Sequence, residues 1–184
     1  CNDLDLGSQT DWRLPRIKEL VSIQDFGNID PSIDQTFFPN TNLSSYWSSS
    51  TNVSFANNIW LGAFGSSAVD WTVDTENYYV RCVRGGSGLD FWLLDFSEIQ
   101  SGVINHGSTG LMWQKEDDNN KRSWGNAITY CENLSLGEYT DWRLPNIKEL
   151  VSIADYSLKS PSINQTYFPN TKFGTGDYWT STTW

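Results

Sequence analysis

One histidine, one methionine and three cysteines are all that 184 residues supply of the side chains most used in acid–base, metal and redox chemistry. Histidine-based proton transfer must therefore rest on His106 alone, which sits in a turn-like Asn105-His106-Gly107-Ser108 context. Neither the G-x-S-x-G nucleophile turn nor the H-E-x-x-H zinc helix occurs, and no glycine-rich phosphate cradle is present. The sequence is read on this basis as non-enzymatic. Positive charge is scarce as well: 12 Lys and Arg face 22 Asp and Glu, for a formal charge of -10. That balance excludes nucleic acid as a partner, because phosphate backbones demand a basic face. It argues equally against anionic membranes and strongly sulfated glycans. No apolar run approaches the roughly 18 residues of a membrane span, and the most apolar stretch, Phe91 to Leu94, is far too short. There is no initiator methionine and no signal peptide, so a processed product or a segment of a longer protein is expected.

Aromatic residues, by contrast, are abundant: 10 Trp, 9 Phe and 8 Tyr supply much of a core, since each buries a large area. The chain also repeats itself. Residues 1–40 align without gaps on residues 131–170 with 26 identities. DWRLPRIKELVSI at 11–23 matches DWRLPNIKELVSI at 141–153, and PSIDQTFFPNT at 31–41 matches PSINQTYFPNT at 161–171. After a two-residue insertion, Tyr46-Trp47-Ser48 matches Tyr178-Trp179-Thr180. One period is about 130 residues. Residues 1–86 then form the rear part of copy one and residues 87–184 the front part of copy two, joined at Arg84-Gly85-Gly86-Ser87-Gly88. The expected setting is a tandem array. The alternative is subunits that complete one another by swapping or strand addition.

A coarse reading gives each copy a hairpin, two helices, a long irregular region and then short strands, an α+β order with much loop. Gly102 to Asn105 and Gly110 to Gln114 read as the hairpin. Ser123 is placed to cap a helix running through Trp124, Ala127, Ile128, Cys131 and Leu134. Pro145 suits the first turn of the second helix, with Ile147, Leu150 and Val151 inward; its counterpart begins at Pro15, with Ile17, Leu20 and Val21 inward. Residues 27–45 and 157–177 show no period. Ile59 to Leu61, Ala68 to Val73 and Tyr78 to Val83 have strand composition.

Cys1 aligns with Cys131, at the end of the first helix, and Cys82 falls in the last expected strand. A Cys1–Cys82 bridge is the natural pairing within one copy, leaving Cys131 to a partner beyond residue 184; the alternative is reduced core cysteines. A bridge implies an oxidising, extracellular setting. Arg13 and Arg143, in the two Asp-Trp-Arg motifs with Trp12 and Trp142, are read as scaffold, each guanidinium tying loop carbonyls together; the alternative is a ligand-facing carboxylate–guanidinium pair. Arg81 and Arg84 flank Cys82 in the same expected strand and are read as sharing one face, again as scaffold. The oxygen-rich run Lys115 to Lys121 would suit calcium, the only cofactor the sequence suggests, but lacks EF-hand spacing, so a solvated loop is expected. Sequons occur at Asn42, Asn52, Asn133 and Asn164.

Several ordered motifs resemble the DUF1566, or Lcl C-terminal domain, family: Thr109-Gly110-Leu111-Met112-Trp113-Gln114-Lys115, Trp124, Cys131, Asp141 to Pro145 and Lys148-Glu149-Leu150. Tyr46 to Ser50 and Tyr79 to Gly85 resemble its closing half. The resemblance implies a C-type-lectin-like fold related to that of formylglycine-generating enzymes, in bacterial secreted or surface proteins, often adhesins. It also places Trp47, Trp60 and Trp71 in the region that lectin-like folds use for ligands, where an exposed Trp stacks on sugar rings. Some relatives bind glycosaminoglycans through basic surfaces, which this acidic chain lacks. The leading expectation is an extracellular structural or adhesive array, possessing neighbouring copies of itself as partners. A discrete glycan-binding module is the rival, and a formylglycine-generating-type enzyme the third.

Overall fold

The computed structural model describes residues 1–86, 94–159, 161–172 and 177–183. The Phe91 to Leu94 run and the joint at Arg84 to Gly88 lie partly outside them. The chain divides into two compact units, Cys1–Leu89 with Thr182–Trp184, and Asp90–Ser181. The architecture is α+β, with short helices, two small antiparallel sheets and long loops.

Unit 1 carries α1 (Ile17–Ile23), β1 (Ser45–Thr51), β2 (Asn58–Ala63) and β3 (Ala68–Val73), with the strands in that order across one antiparallel sheet. The three- and four-residue spacing of Ile17, Leu20 and Val21 puts them on one helix face. All three are at most 1% exposed, and Leu20 joins Ile33, Tyr46 and Phe64 in the core. Close helix–sheet approach depends on Gly62 in β2, where an added Cβ would lie 3.0 Å from the Leu20 side chain. Just past the helix, the buried Gln24 amide donates to the Ala63 and Ala68 carbonyls at 3.0 and 3.1 Å and so ties the helix end to the β2–β3 turn. A disulfide joins Cys1 to Cys82, closing 81 positions of chain with an S–S distance of 2.01 Å.

Unit 2 carries β4 (Phe96–Gln100), β5 (Val103–His106), β6 (Leu111–Gln114), α2 (Trp124–Glu132) and α3 (Ile147–Ile153). The expected hairpin is β5–β6, and β4 adds a third strand on its other side. The core gathers Phe96 and Ile104 from the sheet with Ile153 from α3 and Phe168 from the following loop.

Several local expectations need correction. Pro15 and Pro145 stand one residue before the N-caps Arg16 and Asn146, not inside the first turn. Their fixed φ instead sets the extended entry to the helix. Ser123 occupies the N-cap of α2 without a side-chain cap bond, and that helix ends at Glu132, short of Leu134. Tyr78 to Val83 is no ladder strand. Tyr79 bridges Tyr46 in parallel, and Val83 bridges Arg13 in antiparallel. Two partners on different elements pull on one short segment, so no continuous pairing develops. Burial of the α3 face also differs from expectation: Ile147, Leu150 and Val151 are only half-buried.

Candidate functional site

The repeated motif builds the same loop twice. In Leu6-Gly7-Ser8-Gln9 the central residues have φ of 64° and 58°, and in Leu136-Gly137-Glu138-Tyr139 they have 60° and 66°. Two successive positive φ values define the tight turn that glycine favours. The Trp12 indole N–H donates to the Gln9 carbonyl at 3.0 Å, and that of Trp142 to the Tyr139 carbonyl at 3.2 Å. Each Trp thus fastens the turn to the chain that enters the helix.

Next to it, each Arg grips a helix glutamate through two parallel bonds. Arg13 meets Glu19 at 2.6 and 2.8 Å, and Arg143 meets Glu149 at 2.5 and 2.7 Å. The glutamate also accepts the N-cap backbone N–H, from Arg16 at 2.7 Å and from Asn146 at 2.8 Å. Burial pushes the Glu19 carboxyl up, but the Arg13 guanidinium and the Arg16 N–H outweigh it and hold the group below the usual carboxylate range. For Glu149 the Arg143 guanidinium is the largest influence, in the same direction. The two guanidinium groups therefore pair chiefly with a carboxylate. Among the described residues, Arg13 also reaches a loop carbonyl, Gly85 at 3.3 Å. Nor is the carboxylate of the Asp-Trp-Arg triplet the partner in copy one: Asp11 pairs with Arg84 at 2.8 Å.

Arg81 and Arg84 do not share a face. Three positions apart in extended chain, they point to opposite sides. Arg84 reaches Asp11 and Gln9, while Arg81 donates to the Thr41 hydroxyl at 2.7 Å. The Arg81 guanidinium also lies 4.8 Å from the Phe38 ring centre and 5.7 Å from that of Tyr46. Cys131, the counterpart of Cys1, is a half-buried free thiol, and burial raises its pKa.

The three candidate tryptophans separate. Trp60 and Trp71 face one another across β2 and β3, whereas Trp47 pairs with Leu61 and so belongs to the opposite face. Trp47 is half-buried, meets Tyr78 edge-on at 5.4 Å, and lines a depression of about 280 Å³ with Leu14, Ser48, Ser49, Ile59 and Asp74. Trp60 is half-buried; Trp71 is 40% exposed. Phe55, which the sequence reading passed over, stacks on Trp71 with ring centres 4.7 Å apart and is 51% exposed. Val53 and Val73 are also exposed. The surrounding loop, rich in turn residues, concealed the aromatic partner, since contact across a hairpin leaves no short-range spacing.

Within the Lys115 to Lys121 run, Asp117 accepts the Tyr178 hydroxyl at 2.6 Å, its backbone carbonyl accepts the Asn170 amide at 2.7 Å, and Asp118 pairs with Arg122. Among the described residues no group of three or more His, Cys, Asp or Glu is placed to hold a metal ion. His106 is fully buried against Phe96, with Nε2 3.7 Å from the Asp95 carboxylate. No described helix is long and apolar enough to cross a membrane. A family model, the Lcl C-terminal domain, matches residues 1–84 and again 102–184. No curated protein and no solved structure matches the chain.

Proposed function

Since the chain belongs to the Lcl C-terminal domain family in tandem copies, we propose that it is a non-enzymatic, extracellular repeat module of a structural or adhesive surface protein, with a C-type-lectin-like fold. One observation carries this reading: the residues that mark the repeat build scaffold in both copies. Trp12 and Trp142 fasten a turn, and Arg13 and Arg143 lock the helix start. A motif used in this way preserves a shape that neighbouring copies can stack upon and loops that they can present. The Cys1–Cys82 bridge supports an oxidising, extracellular location. Sedimentation over a concentration series, with electron microscopy of the native material, tests the proposal. Regular higher-order assemblies are the expected result; compact monomers at every concentration would overturn it.

A second reading, glycan binding, is favoured by the exposed Phe55–Trp71 stack. Such a platform suits the apolar face of a sugar ring. The acidic surroundings favour an uncharged glycan over a sulfated one. Glycan-array signal lost in Trp71→Ala and Trp60→Ala supports this reading; signal unchanged by both substitutions removes it.

A further inference from the structure

Four Asn-x-Ser/Thr sequons stand in the chain, at Asn42, Asn52, Asn133 and Asn164, and the fold separates them. An N-linked saccharide needs a carboxamide that reaches solvent, a nitrogen not already committed to a hydrogen bond, and a hydroxyl two residues on. Asn52 fails the first condition. It is 5% exposed, and its Oδ1 accepts the Ser54 N–H at 2.9 Å. Asn133 fails the second: at the end of α2 its amide nitrogen donates to the Thr129 carbonyl at 2.9 Å. Asn164 is half-buried, and its Oδ1 closes a turn on the Thr166 N–H at 2.9 Å. Asp34, its counterpart in copy one, closes the same turn on the Thr36 N–H at 2.8 Å. That position is therefore a turn former, which asparagine and aspartate fill alike.

Asn42 meets all three conditions. It is exposed on the loop that enters β1, and among the described residues its carboxamide has no hydrogen-bond partner. The backbone around it is fixed. Asn42 N–H donates to the Tyr46 hydroxyl at 2.9 Å, Ser44 N–H to the Asn42 carbonyl at 2.8 Å, and Phe64 N–H to the Ser44 carbonyl at 3.0 Å. Gly65 lets the β2–β3 turn press on this loop, since an added Cβ would lie 3.0 Å from the Leu43 backbone. With the backbone held inward, the Asn42 and Leu43 side chains face out, Leu43 at 56% exposure. The same position in copy two is Lys172, also exposed, and its N–H likewise donates to the Tyr178 hydroxyl at 3.4 Å. Unit 1 surrounds this loop with the rear of the repeat and unit 2 with the front. The position is outward in both, so its exposure belongs to the loop itself.

Resting on the extracellular reading, we propose that Asn42 is the acceptor of an N-linked saccharide, and that the other three sequons are structural. The donor class is a saccharide carried on a polyprenyl diphosphate, used by a membrane-bound transferase. Asn42 Nδ2 forms a bond to the anomeric carbon. The bond from that carbon to the phosphate oxygen breaks, and the diphosphate leaves with the electron pair. One amide proton passes to a carboxylate of the transferase, and no electron transfer is involved. The Ser44 hydroxyl, two residues on, completes the recognised triplet. Copy two carries lysine at this position and cannot be modified there, so the saccharide marks one copy of the repeat and not the other.

The test takes the protein from its native source and reads intact mass, then maps peptides by electron-transfer fragmentation, which leaves a sugar on its residue. A saccharide on the peptide holding Asn42 is expected, with Asn52, Asn133 and Asn164 bare. In the same host, Ser44→Ala should cut occupancy at Asn42 at least about tenfold, because the triplet needs its hydroxyl. That substitution keeps both Ser44 backbone bonds, so loss of the sugar would not reflect a lost fold. An Asn42 peptide bare in the native protein would overturn the proposal. So would occupancy unchanged by Ser44→Ala, or Asn52 modified as fully as Asn42. Regular assemblies built from a chain bare at Asn42 would refute the acceptor and leave the repeat-module reading standing; modified chains that stay monomeric would do the reverse.

Discussion

Placed side by side, α1 and α3 show what two halves of one fold each contribute to an identical helix. Ile17, Leu20 and Val21 are sealed by the unit 1 sheet, while Ile147, Leu150 and Val151 remain half-buried. The order reverses on the other flank. Ile153 and Phe168 in unit 2 are 6% and 4% exposed against Phe96 and Ile104, whereas Ile23 and Phe38 in unit 1 are half-buried. One flank of IKELVSI therefore belongs to the hairpin and the other to the sheet. Burial is set by which neighbour is present, not by the helix sequence, because hydrophobic stabilisation scales with area removed from water.

The disulfide should separate the copies most. Cys82→Ser removes a staple across 81 positions and is expected to cost unit 1 about 4 kcal/mol. Unit-resolved hydrogen exchange should show unit 2 unchanged. Leu20→Ala and Leu150→Ala come next. At the fully buried site the loss should be about 3 kcal/mol, and at the half-buried site nearer 1 kcal/mol; equal losses in urea denaturation would break the comparison. The caps differ more modestly. Asn146 both accepts the Glu149 N–H at 2.9 Å and donates its own N–H to that carboxylate, a reciprocal box. Asn146→Ala should cost about 1 kcal/mol, while Arg16→Ala should be near neutral; urea midpoints measure both.

Acid should act on the two units alike and least. Glu19 and Glu149 are held below the ordinary carboxylate range in the fold. Their stabilisation is full above the unfolded value of about 4.3 and is lost as pH falls through the folded value. Denaturation midpoints should decline below about pH 4.3 in the wild type and less steeply in Glu19→Gln and Glu149→Gln.

Much of this was legible in the residues. The repeat, the α+β order, β2, β3 and the β5–β6 hairpin follow from identity, strand composition and turn residues. The grip of Arg on Glu was also written twice, as Arg13–Glu19 and Arg143–Glu149, and the Asn146–Glu149 box follows the cap spacing. Neither is signalled by the Asp-Trp-Arg triplet itself, because its own carboxylate lies nearer in sequence than the helix glutamate six positions on. Three features had no local signal. The strand β4 depends on pairing with β5, the bridges of Tyr79 and Val83 depend on distant elements, and the Phe55–Trp71 stack forms across a hairpin.

Hydroxyl-radical footprinting of the native chain, read residue by residue, tests the two-flank account most directly. Tyr178 should be modified faster than Tyr46, while Phe38 should be modified faster than Phe168, an inversion between the flanks. If Tyr178 were as protected as Tyr46, or if one copy were the more reactive at both pairs, each unit would not be securing a different side of the shared helix, and the account would fail.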